Sequence, residues 1–202
     1  MKYAKGNFEN FHNHNCFVEE RIIFFGSESG CDDDCGESGV DYASATKVMK
    51  NLLYLDQQAN KKIYLHYSSP GGDWDRGIAI HDCILGLRSS VTMIGYGCVR
   101  SMGTIIMQAC DERLLTPNCR FMIHDGTCGI YGTSEDVKRN ADESEWTREK
   151  MHDIYYAKMK EKNPAMTVDA IATMCQHDCY MSGQEAVDIG LADKVIGGSY
   201  EL

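Results

Sequence analysis

The 202-residue chain has no run approaching the ~18 consecutive apolar residues of a membrane-spanning helix. Its start, Met1-Lys-Tyr-Ala-Lys-Gly-Asn-Phe8, lacks the apolar stretch and cleavage pattern of a secretory signal, so a cytoplasmic location is expected. Positive charge is scarce: 20 Lys and Arg stand against 30 Asp and Glu, for a formal net charge of −10. Such a surface is poorly suited to neutralising phosphates, which argues against nucleic acid as a partner. Ten cysteines are present, yet none has the two-residue spacing of common zinc knuckles. The close pairs are Cys31-Asp-Asp-Asp-Cys35 and Cys175-Gln-His-Asp-Cys179. Without a secretory signal, reduced thiols packed as small apolar groups are expected, with no metal ligand set. The acidic stretch from Ser27 to Gly39 lacks EF-hand spacing, and no internal repeat is visible.

What remains is an ordinary globular composition, 43% hydrophobic and 25% charged, at a length that suits one domain with a sizeable core. Residues 1–16 are polar and irregular and read as a flexible arm; residues 17–202 read as the domain. Arg21-Ile-Ile-Phe-Phe25 reads as a strand. Ala45, Val48, Met49, Leu52 and Leu55 recur at helical spacing and predict an amphipathic helix from Asp41 to about Gln58. The strand Lys62–Tyr67, a Ser69-Pro-Gly-Gly72 turn and a helix over Asp75–Leu87 follow, then a strand over Val91–Ile94. This alternation predicts an α/β fold with parallel pairing. Short strands are expected at Arg113–Thr116 and Arg120–His124. A capping box at Thr133 and Asp136 opens a long charged helix running to about Lys162, too polar to bury itself in its own domain. Helices at Val168–Met174 and after Ser182, and an extended segment at Ala192–Ile196, close the chain.

The stretch Gly95-Tyr-Gly-Cys-Val-Arg-Ser-Met-Gly103 joins a strand to a helix and places Ser101 at the helix start. Main-chain N–H groups there lack intrahelical partners and carry the positive end of the helix dipole. A serine oxygen at such a point can attack a carbonyl while nearby N–H groups hold the oxyanion; it can equally be a simple N-cap. The nucleophilic reading needs a base and an orienting acid. His124, at a strand end before a glycine-rich loop, is a candidate base, and Asp178 a candidate third group. Spacing does not bring the three together. The order Ser, His, Asp differs from that of α/β-hydrolases, and Val99 occupies the position where the hydrolase nucleophile elbow has Gly.

Taken in order, Arg21-Ile-Ile-Phe-Phe-Gly26, Ile63-Tyr-Leu65, Ser69-Pro-Gly-Gly72, Ser101-Met-Gly103, Pro117-Asn118, Met122-Ile-His124 and Met181-Ser182 with Glu185-Ala186, Gly190-Leu191 and Asp193 resemble the ClpP family, the proteolytic subunit of Clp protease. The resemblance covers about residues 17–197. It implies a ClpP/crotonase-type fold of repeated ββα units with a projecting handle helix, the handle region spanning about 125–162. It implies a serine endopeptidase with Ser101 as nucleophile, His124 as base and then acid, and Asp178 as the group that holds the imidazole. The oxyanion hole falls to the N–H groups of Gly72 and Met102. Gly71, Gly126 and Thr127 become substrate-binding positions, the last two within an extended segment over Gly126–Gly132 that pairs with a polypeptide substrate. The implied assembly is a chamber of two stacked seven-membered rings of identical subunits. No cofactor is implied in this subunit; ATP enters only through a partner Clp-type AAA+ unfoldase. A catalytically silent ring subunit and a crotonase-type acyl-CoA enzyme are the alternatives. The chain departs from the family in Val99 and Arg100 before the serine, in the acidic insertion after Gly26, and in Asp125-Gly126 after the histidine. Asp125, beside the base, is expected to stabilise imidazolium at His124.

Overall fold

The computed structural model describes residues 11–26 and 39–197. Eight strands form one sheet: β1 (Cys16–Phe17), β2 (Ile22–Phe25), β3 (Ile63–Ser69), β4 (Val91–Arg100), β5 (Glu112–Leu115), β6 (Arg120–Ile123), β7 (Cys179–Ser182) and β8 (Lys194–Val195). The main order is β1-β2-β3-β4-β5-β8, with β6 pairing both β4 and β7. Pairing is parallel throughout β2, β3, β4, β5 and β8, as the strand–helix alternation predicts. The exceptions are the antiparallel β1–β2 and β6–β7 pairs.

Besides the helical residues 11–14, six helices complete the described fold: α1 (Tyr42–Gln58), α2 (Trp74–Leu85), α3 (Met102–Gln108), α4 (Ser134–Lys162), α5 (Val168–Cys175) and α6 (Gly183–Asp188). Helix α1 begins at a reciprocal Asp41/Ser44 capping box and buries Ala45, Val48, Leu52 and Leu55 along the predicted stripe. It packs on α2, which packs on α3. Helix α3 is buried along its whole length. Tyr155 on α4 meets it through a 2.6 Å hydrogen bond between the Tyr155 hydroxyl and Thr104 Oγ1. The end of the chain is tied to the sheet through Arg113. Its main-chain N–H and Nε donate to Asp193 Oδ2 at 2.7 and 3.2 Å, and Nη1 donates to Gln108 Oε1 at 2.7 Å.

Helix α4 starts at the predicted Thr133/Asp136 capping box and runs for 29 residues, about 44 Å at ~1.5 Å per residue. Its buried residues are Met151, His152, Tyr155 and Met159, all in the second half. The first half, residues 134–150, touches the domain with no buried side chain.

Three features differ from the sequence reading. Strand β4 does not end at Ile94 but continues to Arg100, because its glycines accommodate a bend rather than a turn. Strand β7 has no counterpart among the expected strands. Of the arm read over 1–16, residues 1–10 lie outside the described residues; residues 11–14 are helical and Cys16 is buried in β1. The acidic loop read over 27–39 and the Cys31/Cys35 pair also lie outside them, Gly39 excepted. Among the described residues eight cysteines are unpaired, and no helix is long and apolar enough to cross a membrane.

Candidate active site

The site is built at a change of partner along β4. Residues Thr92–Gly95 pair with β5, whereas Cys98–Arg100 pair with β6. Between them Gly97 adopts φ 57°, a conformation that glycine reaches without steric cost. The strand therefore carries Ser101 beyond the sheet edge and straight into α3. The Ser101 N–H donates to Met122 O at 2.8 Å, which extends the β4–β6 pairing to Ser101. Ser101 itself sits at φ 49°, ψ −124°, strained for a residue with a side chain, and makes no side-chain capping bond. Ser101 thus occupies the N-cap position without its hydroxyl capping the helix.

The antiparallel register of β6 and β7 supplies the rest. Ile123 faces Cys179, so the next residue along β6, His124, meets the residue before β7, Asp178. His124 Nδ1 lies 2.9 Å from Asp178 Oδ1, and His124 Nε2 lies 2.9 Å from Ser101 Oγ. A carboxylate only accepts, so Nδ1–H donates to Asp178, leaving Nε2 to accept the Ser101 hydroxyl. Asp178 is half exposed, and the Tyr180 hydroxyl stands 3.5 Å from its second oxygen.

Around Ser101 the main chain provides donors. Met102 is the first residue of α3, and its N–H has no intrahelical acceptor. Gly72 bridges to Val40 through neighbouring groups: Val40 N–H donates to Gly71 O at 2.6 Å, and Asp73 N–H donates to Val40 O at 2.8 Å. The Gly72 N–H takes no part in that bridge. A cleft of about 640 Å³ opens over these groups, and Gly72, Ser101, Met102, His124, Gly126 and Thr127 all line it. Gly71 does not line it; it lies under Ser101. Residues 124–133 carry no regular secondary structure; His124–Ile130 line the cleft together with Asn140, Glu143, Thr147 and Met151 of α4.

The family model for Clp protease matches residues 5–199. The chain belongs to the Clp protease family. It is 30% identical over 187 residues to the ATP-dependent Clp protease proteolytic subunit of Deinococcus radiodurans, covering 91% of this chain and 84% of the relative. It is 34% identical over 160 residues to the protein of the same name from Paracoccus denitrificans, covering 78% of each. Its fold matches that of a ClpP1 point mutant from Listeria monocytogenes with a TM-score of 0.74 at 24% identity, over 89% of this chain and 92% of that one.

Within this Clp-family chain the departures noted in the sequence have definite places. Val99 is fully buried and packs toward Gly95, away from the cleft. Arg100 is also not a cleft residue; its guanidinium lies 5.6 Å from the centre of the Tyr180 ring. The expectation that Asp125 acts on His124 is corrected. The Asp125 carboxylate turns to His152 of α4, at 2.7 Å, and the carboxylate that reaches the His124 ring is Asp178. Sequence reasoning missed His152 and Tyr180; Tyr180 stands two residues after Asp178, and His152 carries no local signal.

Proposed function

We propose that the chain is a serine endopeptidase that cleaves unfolded polypeptides or short peptides inside an oligomeric chamber. The relay Ser101–His124–Asp178, with both contacts at 2.9 Å, is the observation that carries this reading. Ser101 Oγ attacks the scissile carbonyl carbon while His124 Nε2 takes the hydroxyl proton. Asp178 holds the ring in the required tautomer and stabilises the imidazolium. The oxyanion is received by the N–H groups of Met102 and Gly72. On collapse the C–N bond breaks, the imidazolium proton passes to the departing amine, and an ester remains on Ser101. Water, deprotonated by His124, then hydrolyses that ester and restores the serine. The chemistry requires no cofactor in this subunit.

Gly126 and Thr127 open the irregular segment beside the cleft, where an extended substrate backbone can pair with them. The exposed first half of α4, with Trp146 half exposed, is the surface by which identical subunits assemble in this proposal. Its stacked rings would receive substrate from a Clp-type AAA+ unfoldase that consumes ATP, in a cytoplasmic setting consistent with the unpaired thiols. An intact relay counts against a silent ring subunit, and a crotonase-type acyl-CoA enzyme would have no use for the Ser–His pair.

The test combines native mass spectrometry with turnover of a fluorogenic peptide. Wild type is expected to assemble and hydrolyse the peptide, and Ser101→Ala to assemble equally without turnover. An assembled wild type without turnover overturns the proposal.

A further inference from the structure

Behind the catalytic histidine, three side chains with metal-ligand chemistry converge from three separate elements. Asp125 follows His124 at the end of β6, His152 lies in the second half of α4, and Cys175 ends α5. One ligand atom from each lies within 4.8 Å of the other two. His152 is 5% exposed and Cys175 is fully buried, so two of the three donors are held inside the protein. The main chain fixes the group as well, because the Asp125 N–H donates to Cys175 O at 2.8 Å. We propose that Asp125, His152 and Cys175 bind one divalent cation of the zinc type, a structural clamp that fastens the loop after His124 to α4 and α5.

The donor set selects the class of ion. Carboxylate, imidazole and thiolate together suit a borderline-soft cation, whereas magnesium or calcium would call for oxygen alone. Ligand atoms around a tetrahedral zinc stand about 3.3–3.6 Å apart, as follows from zinc–ligand distances of ~2.0–2.3 Å. The observed grouping reaches that spacing by side-chain rotation of about an ångström, with the Asp125–His152 hydrogen bond replaced by bonds to the ion. One position stays open for water. Charge and protons balance: the cation enters, the Cys175 thiol proton leaves to solvent, and carboxylate plus thiolate neutralise the two positive charges. A buried site that is neutral when filled meets little desolvation penalty.

The same three residue types could in principle make a second nucleophilic centre. One observation excludes it: Cys175 is fully buried and does not line the cleft. The site is independent of the peptidase reading, since it requires neither Ser101 nor turnover.

The test uses the full-length protein, freed of metal by dialysis against a chelator and titrated separately with zinc and with cobalt(II). Expected are one zinc per chain, one proton released per zinc, and a thiolate-to-cobalt charge-transfer band. Cys175→Ser is expected to lose the band and weaken zinc binding by more than the ~10–100-fold typical of losing an outer-shell partner. Asp125→Asn, which keeps the side-chain volume, is expected to weaken zinc binding while retaining the band. Cys179→Ser is expected to bind as wild type does. Wild type that takes up no zinc overturns the proposal. So does uptake that is unchanged in both Cys175→Ser and Asp125→Asn. If Cys175→Ser fails to fold, the Asp125→Asn titration decides.

Discussion

Gly71 lies directly beneath Ser101. A Cβ on Gly71 would stand 2.6 Å from Ser101 Cβ, 2.8 Å from the Arg100 carbonyl oxygen and 3.0 Å from the Met102 nitrogen. Two of those neighbours are main-chain atoms, which cannot swing aside, and Gly71 holds φ 106°, a conformation that side chains rarely adopt. Gly71→Ala must therefore displace the Ser101–Met102 peptide. A shift approaching 1 Å at the reacting groups lowers turnover by about 100-fold. The expected result is a folded protein with kcat reduced to that extent and with little change in subunit assembly; steady-state kinetics beside native mass spectrometry check it.

Asp178 bonds to His124 and does not line the cleft. Asp178→Asn keeps the shape but offers an amide that can donate, so the imidazole is free to present the wrong nitrogen to Ser101. A fall in kcat of about 10⁴-fold is expected, by analogy with the same change in a serine-peptidase triad, with residual activity from the main-chain donors. A variant with wild-type turnover would assign His124 an orienting partner other than Asp178.

How much of this is legible in the sequence differs from residue to residue. Ser101 at a strand–helix junction can be read because its flanks are apolar and periodic. The full length of β4 cannot: Gly95 and Gly97 look like turn residues, and their use in a bend follows from the partner change between β5 and β6, which is a property of the sheet. Strand β7 is four residues long, lacks alternation and follows His177-Asp178, so no local pattern marks it. Its pairing with β6 is nonetheless what sets Asp178 against His124. The role expected for Asp125 fails for a related reason. Adjacency in sequence places it beside His124, but consecutive residues leaving a strand point to opposite sides. Its partner, His152, is 27 residues away along the chain.

The tie between Arg113 and Asp193 offers a stability test. The Arg113 side chain is almost wholly buried, and its donors are met by Asp193, Gln108 and the Gly190 carbonyl. Asp193→Ala leaves a buried guanidinium without its counter-charge, which costs about 3–5 kcal/mol where the surviving charge stays buried. Denaturant unfolding at neutral pH should show a loss of that order, and a loss under ~1 kcal/mol would mean that Gln108 and Gly190 suffice.

The acid limb of stability has a defined sign. Asp41 and Glu185 are held below the ordinary carboxylate range chiefly by main-chain N–H donors at their capping boxes, and Glu112 by the Lys62 and Thr92 side chains. Each folded value is depressed, so the unfolded chain binds protons first as pH falls. The stabilisation is complete above the unfolded values, near ~4, and disappears as pH falls through the lower folded values. Asp41→Asn, which keeps a capping oxygen, should flatten the acid side of the profile while changing neutral stability by about 0.5 kcal/mol or less. Unfolding midpoints measured from neutral to strongly acidic pH would reveal it; a steeper acid loss in Asp41→Asn would contradict the sign.

The chemistry of the site turns on one hydroxyl, that of Ser101. A fluorophosphonate reacts with a serine only where a base activates it and N–H donors receive the phosphoryl oxygen. Incubation of the assembled protein with such a reagent, followed by peptide mapping, reads both conditions at once. One adduct per chain on Ser101 is expected, absent in Ser101→Ala and slowed in Asp178→Asn. An assembled wild type that stays unlabelled, or one labelled at a different serine, would contradict it.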